Sequence, residues 1–218
     1  MFRDREDAGR RLAVALEEYR HPRTLILAIP RGGIPVGYRV AEHMEAELDV
    51  VIARKVPIPW DPEAGLGSVG PDGDLALNET LVSALGLSEE EIRTLAQVVL
   101  EEVRRREAVL RGDRPRPEIE ARRIILVDDG LATGYTMVAA VRWVRKARPK
   151  ELVVAVPCSS ASALKVVKPL ADAVVVLKVS HAPLFAVASF YAEWRDLRDE
   201  DVLPYIRRTH EKGYYLRR

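Results

Sequence analysis

Five short runs of aliphatic, largely β-branched residues recur along the 218-residue chain, and their spacing narrows the fold more than any other feature. They are Thr24–Ile29, Leu48–Ala53, Arg123–Asp128, Leu152–Val156 and Ala173–Leu177. Within each run apolar residues follow one another with almost no polar alternate. A strand of that kind is covered on both faces, which is the condition of a parallel sheet between two layers of helix. Helical stretches lie between the runs, at about 34–46, 135–147 and 159–168. Strand and helix in this rhythm predict an α/β fold, a doubly wound, mostly parallel five-stranded sheet flanked by helices.

Two segments break the rhythm. Between the second and third runs the spacing widens to about seventy residues. This insertion, about 56–120, opens with a Pro/Gly-rich stretch, Val56 to Gly73, with a hairpin turn expected at Pro71-Asp72-Gly73. A long helix follows. Ser88 and Glu91 form a capping box at its start, and Ile92, Leu95, Ala96, Val99, Val103 and Leu110 fall near one face. Glu101–Arg105 and Glu102–Arg106 are spaced to pair along it, so Arg104-Arg105-Arg106 reads as a solvated helix face. After Leu177 aromatic residues crowd in: Phe185, Phe190, Tyr191, Trp194, Tyr205, Tyr214 and Tyr215. The expected organisation is a core over 1–178 carrying the insertion, with a small C-terminal hood lobe over 179–218.

Bulk properties exclude several classes of function. A formal charge of +1 gives no field that would draw the chain to nucleic acid. No apolar run approaches the roughly 20 residues of a membrane span, and the charged opening MFRDREDAGR has no signal-peptide core. Cys158 is the only cysteine, which leaves neither an internal disulfide nor a cysteine metal cluster. The expectation is a cytoplasmic protein with no nucleic-acid or membrane partner. Asn78 and Gln97 are the only side-chain amides, a scarcity that suits heat adaptation.

The chemistry concentrates in Ile125-Leu-Val-Asp-Asp-Gly-Leu-Ala-Thr-Gly-Tyr-Thr-Met137. A buried strand delivers the chain to its carboxyl edge, where ligands sit in open α/β sheets. Gly130 and Gly134 permit a tight turn. A helix then begins, offering unsatisfied N–H groups and a partial positive charge, with the hydroxyls of Thr133 and Thr136 alongside. That is an anion cradle of phosphate size. A nucleoside-triphosphate loop would need a lysine where Tyr135 stands, and the dinucleotide fingerprint is missing. Asp128 and Asp129 would repel a phosphate set directly beside them. They suit hydroxyls or a hydrated cation, with the phosphate farther along the loop, as a sugar monophosphate with a vicinal diol requires.

Val127-Asp128-Asp129-Gly130-Leu131-Ala132-Thr133-Gly134-Tyr135-Thr136 resembles the signature of type I phosphoribosyltransferases. The resemblance implies that Asp128 and Asp129 hold the ribose hydroxyls and the environment of a Mg2+ ion, and that Gly130 to Thr136 hold a 5-phosphate. Ala132 stands where one branch of the family carries an acid that serves the incoming base. Pro30-Arg31-Gly32-Gly33 resembles the family's pyrophosphate loop, Arg31 supplying charge and Gly32 and Gly33 exposing backbone amides. Arg54 and Lys55, at the end of the second run, fall where the family carries basic residues and a mobile loop that closes over the site. Arg111 and Arg114 are further candidates for phosphate contact. Implied is the transfer of a 5-phosphoribosyl group from phosphoribosyl pyrophosphate to a nitrogenous acceptor, by a homo-oligomer, a dimer first. The alternative is a non-catalytic regulatory protein that binds the same sugar pyrophosphate. The acceptor pocket is expected under the C-terminal lobe, with Phe185, Phe190, Tyr191 or Trp194 available for stacking. The histidines (His21, His43, His181, His210) form no cluster that would suit a general-base enzyme.

Overall fold

The computed structural model describes residues 1–58 and 60–211; Tyr214 and Tyr215 lie outside them. Its centre is a five-stranded parallel sheet in the order β2-β1-β6-β7-β8, with β1 Thr24–Ala28, β2 Glu47–Val50, β6 Arg123–Val127, β7 Glu151–Ser160 and β8 Ala173–Ser180. The doubly wound class expected from the runs is the class observed.

Alternation along each strand divides two cores. Ile26, Ala28, Ile125, Val127, Val153 and Ala155 face one side, and Leu25, Leu27, Ile124, Leu126, Leu152 and Val154 the other. Helices α1 (Arg5–Ala15) and α2 (Gly33–Met44) cover the first side, joined by α7 (Asp199–Glu211) through Val202 and Ile206. Helices α5 (Tyr135–Lys146) and α6 (Ala161–Val167) cover the second. Each fully buried Leu, Ile or Val contributes about 1.5–3 kcal/mol of transfer free energy, so the uninterrupted runs are what the two layers hold on to.

From β1 the chain winds outward through α2 to β2. From the neighbouring β6 it winds the other way, through α5 to β7 and α6 to β8. The carboxyl ends of β1 and β6 therefore flank the point where the winding reverses, the place an open α/β sheet leaves a crevice.

Between β2 and β6 stands a second, antiparallel sheet: β3 Arg54–Ile58, β4 Asp61–Val69 and β5 Leu75–Leu77. The expected turn sits between β4 and β5, where the Gly70 amide donates to the Asp74 carbonyl at 2.9 Å. Two helices follow, α3 (Glu79–Leu85) and α4 (Glu89–Arg111). The Ser88–Glu91 capping box is formed at the start of α4.

Three boundaries differ from expectation. The run 48–53 leaves its ladder at Val50, and Val51 to Ala53 stay buried as a connection. Arg54 and Lys55 consequently open β3 rather than end β2. β7 runs four residues past Val156, through Pro157, which has no partner in the register with β8 between Val156↔Val176 and Cys158↔Lys178. A proline with no N–H to donate reads as a strand end in sequence; here it sits where the ladder skips a residue. α1 has no counterpart among the expected helices.

Candidate functional site

The loops that leave β1 and β6 lie against each other. A Cβ built on Gly32 would fall 1.8 Å from Asp129 Oδ2, and one on Gly33 would fall 2.7 Å from the Val127 carbonyl oxygen. Only glycine lets the Arg31-Gly32-Gly33 turn approach the acid pair so closely. The two segments singled out in the sequence are thus one structural unit.

Beyond the acids, the loop is fastened to the end of β7. The Leu131 amide donates to the Cys158 carbonyl at 2.9 Å, the Ser160 amide donates to the Leu131 carbonyl at 3.0 Å, and the Ser160 hydroxyl donates to the Ala132 carbonyl at 2.7 Å. Gly134, at φ +86°, turns the chain into α5 without a side-chain cap on its first amides. Ala132 and Thr133 are exposed, and Tyr135 opens the helix. A cleft of about 240 Å3 follows from this arrangement, walled by Asp128, residues 130–134, Thr136 and, from β3, Lys55. The Thr136 hydroxyl lies 3.3 Å from that of Ser68 on β4, which joins the antiparallel sheet to the head of α5.

The acids are not equivalent. Asp129 Oδ2 accepts a 2.7 Å hydrogen bond from Arg5 Nε, both side chains being about nine-tenths buried. Its carbonyl accepts from the Tyr191 hydroxyl at 2.6 Å. The Asp128 carboxylate accepts the Asp129 amide at 2.8 Å. Burial first, and then the Asp129 charge beside it, push the Asp128 carboxyl well above the usual carboxylate range.

Among the described residues no group of three or more His, Cys, Asp or Glu could enclose a metal ion. A Mg2+ ion carried in on substrate phosphates needs only one or two protein carboxylates and water. Asp128 and Asp129 fit that donor set.

Arg31 reaches toward Asp199 at 3.7 Å, and Arg54 is paired with Glu102. That pairing replaces the expected Glu102–Arg106 contact along α4. Arg104 and Arg105 are exposed as expected of a solvated face, whereas Arg106 is only 12% exposed and turned toward Asp199. Arg111 and Arg114 are engaged within the fold rather than at the cleft. Arg111 is buried and ion-paired with Asp49 and Glu107, and Arg114 donates to the Leu110 and Arg111 carbonyls at the end of α4.

The tail aromatics are largely committed to packing. Phe185 meets Phe190 at 5.3 Å between centroids, and Tyr191 meets Phe2 and Trp194. The Arg5 guanidinium covers the Trp194 ring at 3.8 Å. Trp194 and Arg5 also line a separate cavity of about 310 Å3. No helix among the described residues is long and apolar enough to cross a membrane.

Sequence reasoning missed Arg5, Arg106 and Asp199, and offered Tyr191 for stacking on an acceptor, whereas its hydroxyl donates to the Asp129 carbonyl. One signal was available for Arg5. Asp4 caps α1 and Ala8, Leu12 and Leu16 trace its buried stripe, so an arginine set one turn before Ala8 lies on the apolar side, where it needs a buried partner.

Known proteins share the sequence family and the fold. TT1426 from Thermus thermophilus is 37% identical, with a TM-score of 0.77 over 94% of this chain and 97% of its own. AQ2163 from Aquifex aeolicus, at 14% identity and a TM-score of 0.51 over 80% of this chain and 74% of its own, shares the fold. Two Mycobacterium tuberculosis proteins, from strains CDC 1551 and H37Rv, each named "Putative phosphoribosyl transferase", are 35% identical over 210 residues, 96% of this chain. The chain spans about half the length of these curated relatives, 47% of each. Residues 3–190 match the phosphoribosyl transferase domain, and the chain belongs to that family.

Proposed function

We propose that the cleft binds 5-phosphoribosyl-1-pyrophosphate and that the chain transfers its phosphoribosyl group to a nitrogen acceptor. One observation carries this reading: Asp128, residues 130–134, Thr136 and Lys55 wall a single cleft, and the Gly32-Gly33 turn docks against Asp128 and Asp129 beside it. In the proposed pose the ribose hydroxyls face Asp128 and Asp129. The 5-phosphate rests on the loop amides and the head of α5. The pyrophosphate lies along Arg31, Gly32 and Gly33, with Arg54 and Lys55 contributing charge.

Reaction then breaks the bond between C1 and the pyrophosphate oxygen, which leaves with the electron pair. The acceptor nitrogen supplies a new pair from the opposite face and gives up its proton to solvent. Bound Mg2+ would supply charge neutralisation for the phosphate oxygens, held through Asp128 and Asp129. Arg31, Lys55 and Arg54 stabilise the departing anion, and fixed positioning supplies much of the remaining rate. Closure of the β3–β4 hairpin over the cleft would exclude water from the sugar cation. Burial raises the Asp129 carboxyl, and Arg5 opposes that rise while aiming the carboxylate.

The test is a panel of nucleobases and related amines, incubated with the sugar pyrophosphate and Mg2+ while pyrophosphate release is followed. Release with at least one acceptor is expected, and Asp128→Asn with Asp129→Asn should abolish it. Binding without release for every acceptor would identify a sensor of the same ligand instead. A double variant that behaves as wild type would overturn the assignment of the cleft.

A further inference from the structure

Behind the Arg31-Gly32-Gly33 turn, three elements far apart in sequence bring charged side chains together. Arg31 comes from the turn, Arg106 from the C-terminal part of α4, and Asp199 from the first residue of α7. Asp199 Oδ1 lies 3.5 Å from Arg106 Nε and 3.7 Å from Arg31 Nη1. Both separations exceed the 2.7–3.2 Å of a good hydrogen bond. Arg106 Nε and Asp199 Oδ1 are both buried and neither has a hydrogen-bond partner in the structure.

Buried polar atoms left in that state are rare and call for a reason. One carboxylate oxygen is shared by two guanidinium groups and satisfies neither. Arg54, paired with Glu102, adds a third positive charge close enough to matter. Burial, then the charge of Arg54, and more weakly that of Arg31, pull the Arg106 guanidinium below its ordinary range, with Asp199 acting against them. Such a cluster is short of negative charge and of acceptor atoms. A guanidinium fork is built to meet phosphate oxygens two at a time, and a pyrophosphate group offers several charges and many acceptors at once.

We infer that Arg106 is a pyrophosphate-binding residue, and that Asp199 is an internal counter-ion which the pyrophosphate group displaces from Arg31 and Arg106. The inference rests on the proposed function, because it places the leaving group of the same ligand. It extends the anion site from the glycine turn to α4, and it gives α7 a role at the site. In the empty protein Asp199 holds the two arginines together against their mutual repulsion. When pyrophosphate arrives, both forks turn to its oxygens and Asp199 is released toward solvent, to which it is already 21% exposed.

Calorimetric titration of the whole chain with Mg2+-pyrophosphate, and separately with ribose 5-phosphate, tests this. Arg106→Met should weaken pyrophosphate by about tenfold or more, the loss of charged hydrogen bonds, while ribose 5-phosphate stays within about twofold of wild type. Arg106→Lys should recover part of the loss. Asp199→Asn should tighten pyrophosphate binding, because an internal competitor has been removed. Wild-type pyrophosphate affinity in Arg106→Met, or weaker binding in Asp199→Asn, overturns the inference. If Arg106→Met does not fold, by circular dichroism, the Asp199→Asn result decides alone. Wild-type protein that binds pyrophosphate but not ribose 5-phosphate would sink the proposed function and leave the anion site standing.

Discussion

Arg5, in the first turn of α1, donates through Nε to Asp129 Oδ2 at 2.7 Å, across 124 residues of sequence. The N-terminal helix is therefore part of the site, although it approaches from the face of the sheet opposite α5. Asp129 sits beside another carboxylate and would be costly to keep ionised alone; Arg5 supplies the opposite charge, and Trp194 holds the guanidinium from its other side at 3.8 Å.

A double-mutant cycle reads this pair directly. Removing one member of a buried ion pair leaves the other uncompensated. Asp129 can take up a proton, which lowers the penalty, so Arg5→Met should cost about 2 kcal/mol of stability. Asp129→Asn alone should cost less, and the double variant much less than the sum. Denaturant unfolding of the four proteins gives the coupling energy. Additive losses would mean that the pair does not interact in solution.

Gly32→Ala tests the contact between the two loops. The added methyl would sit 1.8 Å from Asp129 Oδ2 and 2.3 Å from its carboxyl carbon. Because Asp129 is held by Arg5, it cannot swing away without breaking that bond. The expected outcome is a fall in ribose 5-phosphate affinity of about tenfold or more, equivalent to about 1.4 kcal/mol, measured by calorimetry. Unchanged affinity would show that the loops separate freely.

Much of this arrangement is legible in the sequence. The five apolar runs specify the sheet because burial on both faces removes every polar alternate, and the 128–136 segment announces itself through adjacent acids, glycines and hydroxyls. Contacts between distant segments carry no such local mark. Arg106 reads as solvated because its neighbours Arg104 and Arg105 are, and Glu102 stands four residues before it. Only tertiary packing shows that Glu102 turns to Arg54 and that Arg106 is covered by α7. Of the antiparallel sheet only the β4–β5 turn at Pro71-Asp72-Gly73 was marked; β3 was hidden for another reason, because Arg54 and Lys55 at its start and the glycines at 65 and 67 in its partner weaken the alternation that marks a strand.

Arg111 illustrates the same limit and yields a stability prediction. Its side chain is 5% exposed, its partner Asp49 is 1% exposed, and its Nη2 donates to the Val50 carbonyl at 2.8 Å. It fastens the end of α4 to β2. Arg111→Met strands a buried carboxylate, at a cost of about 3–5 kcal/mol. Thermal unfolding should fall by at least several degrees, whereas ribose 5-phosphate affinity of the folded fraction should match wild type. A specific loss of ligand affinity with stability intact would return Arg111 to the phosphate site.

Cys158 lies directly under the acid loop, its thiol donating to the Asp129 carbonyl at 3.6 Å. Burial, followed by the charges of Asp129 and Asp128, pushes the thiol up to about 12. Only the thiolate attacks disulfide reagents, so at mildly alkaline pH about one molecule in ten thousand would be reactive even with full access. The native protein should accordingly resist Ellman's reagent, and denatured protein should react at once. Rapid native labelling would mean that the segment opens readily, and the acid pair above it would then lack the rigid support that the 2.9 Å Leu131–Cys158 backbone bond implies. Ribose 5-phosphate should slow the residual labelling further, because a ligand on the loop ties down the residues that must move to expose the sulfur.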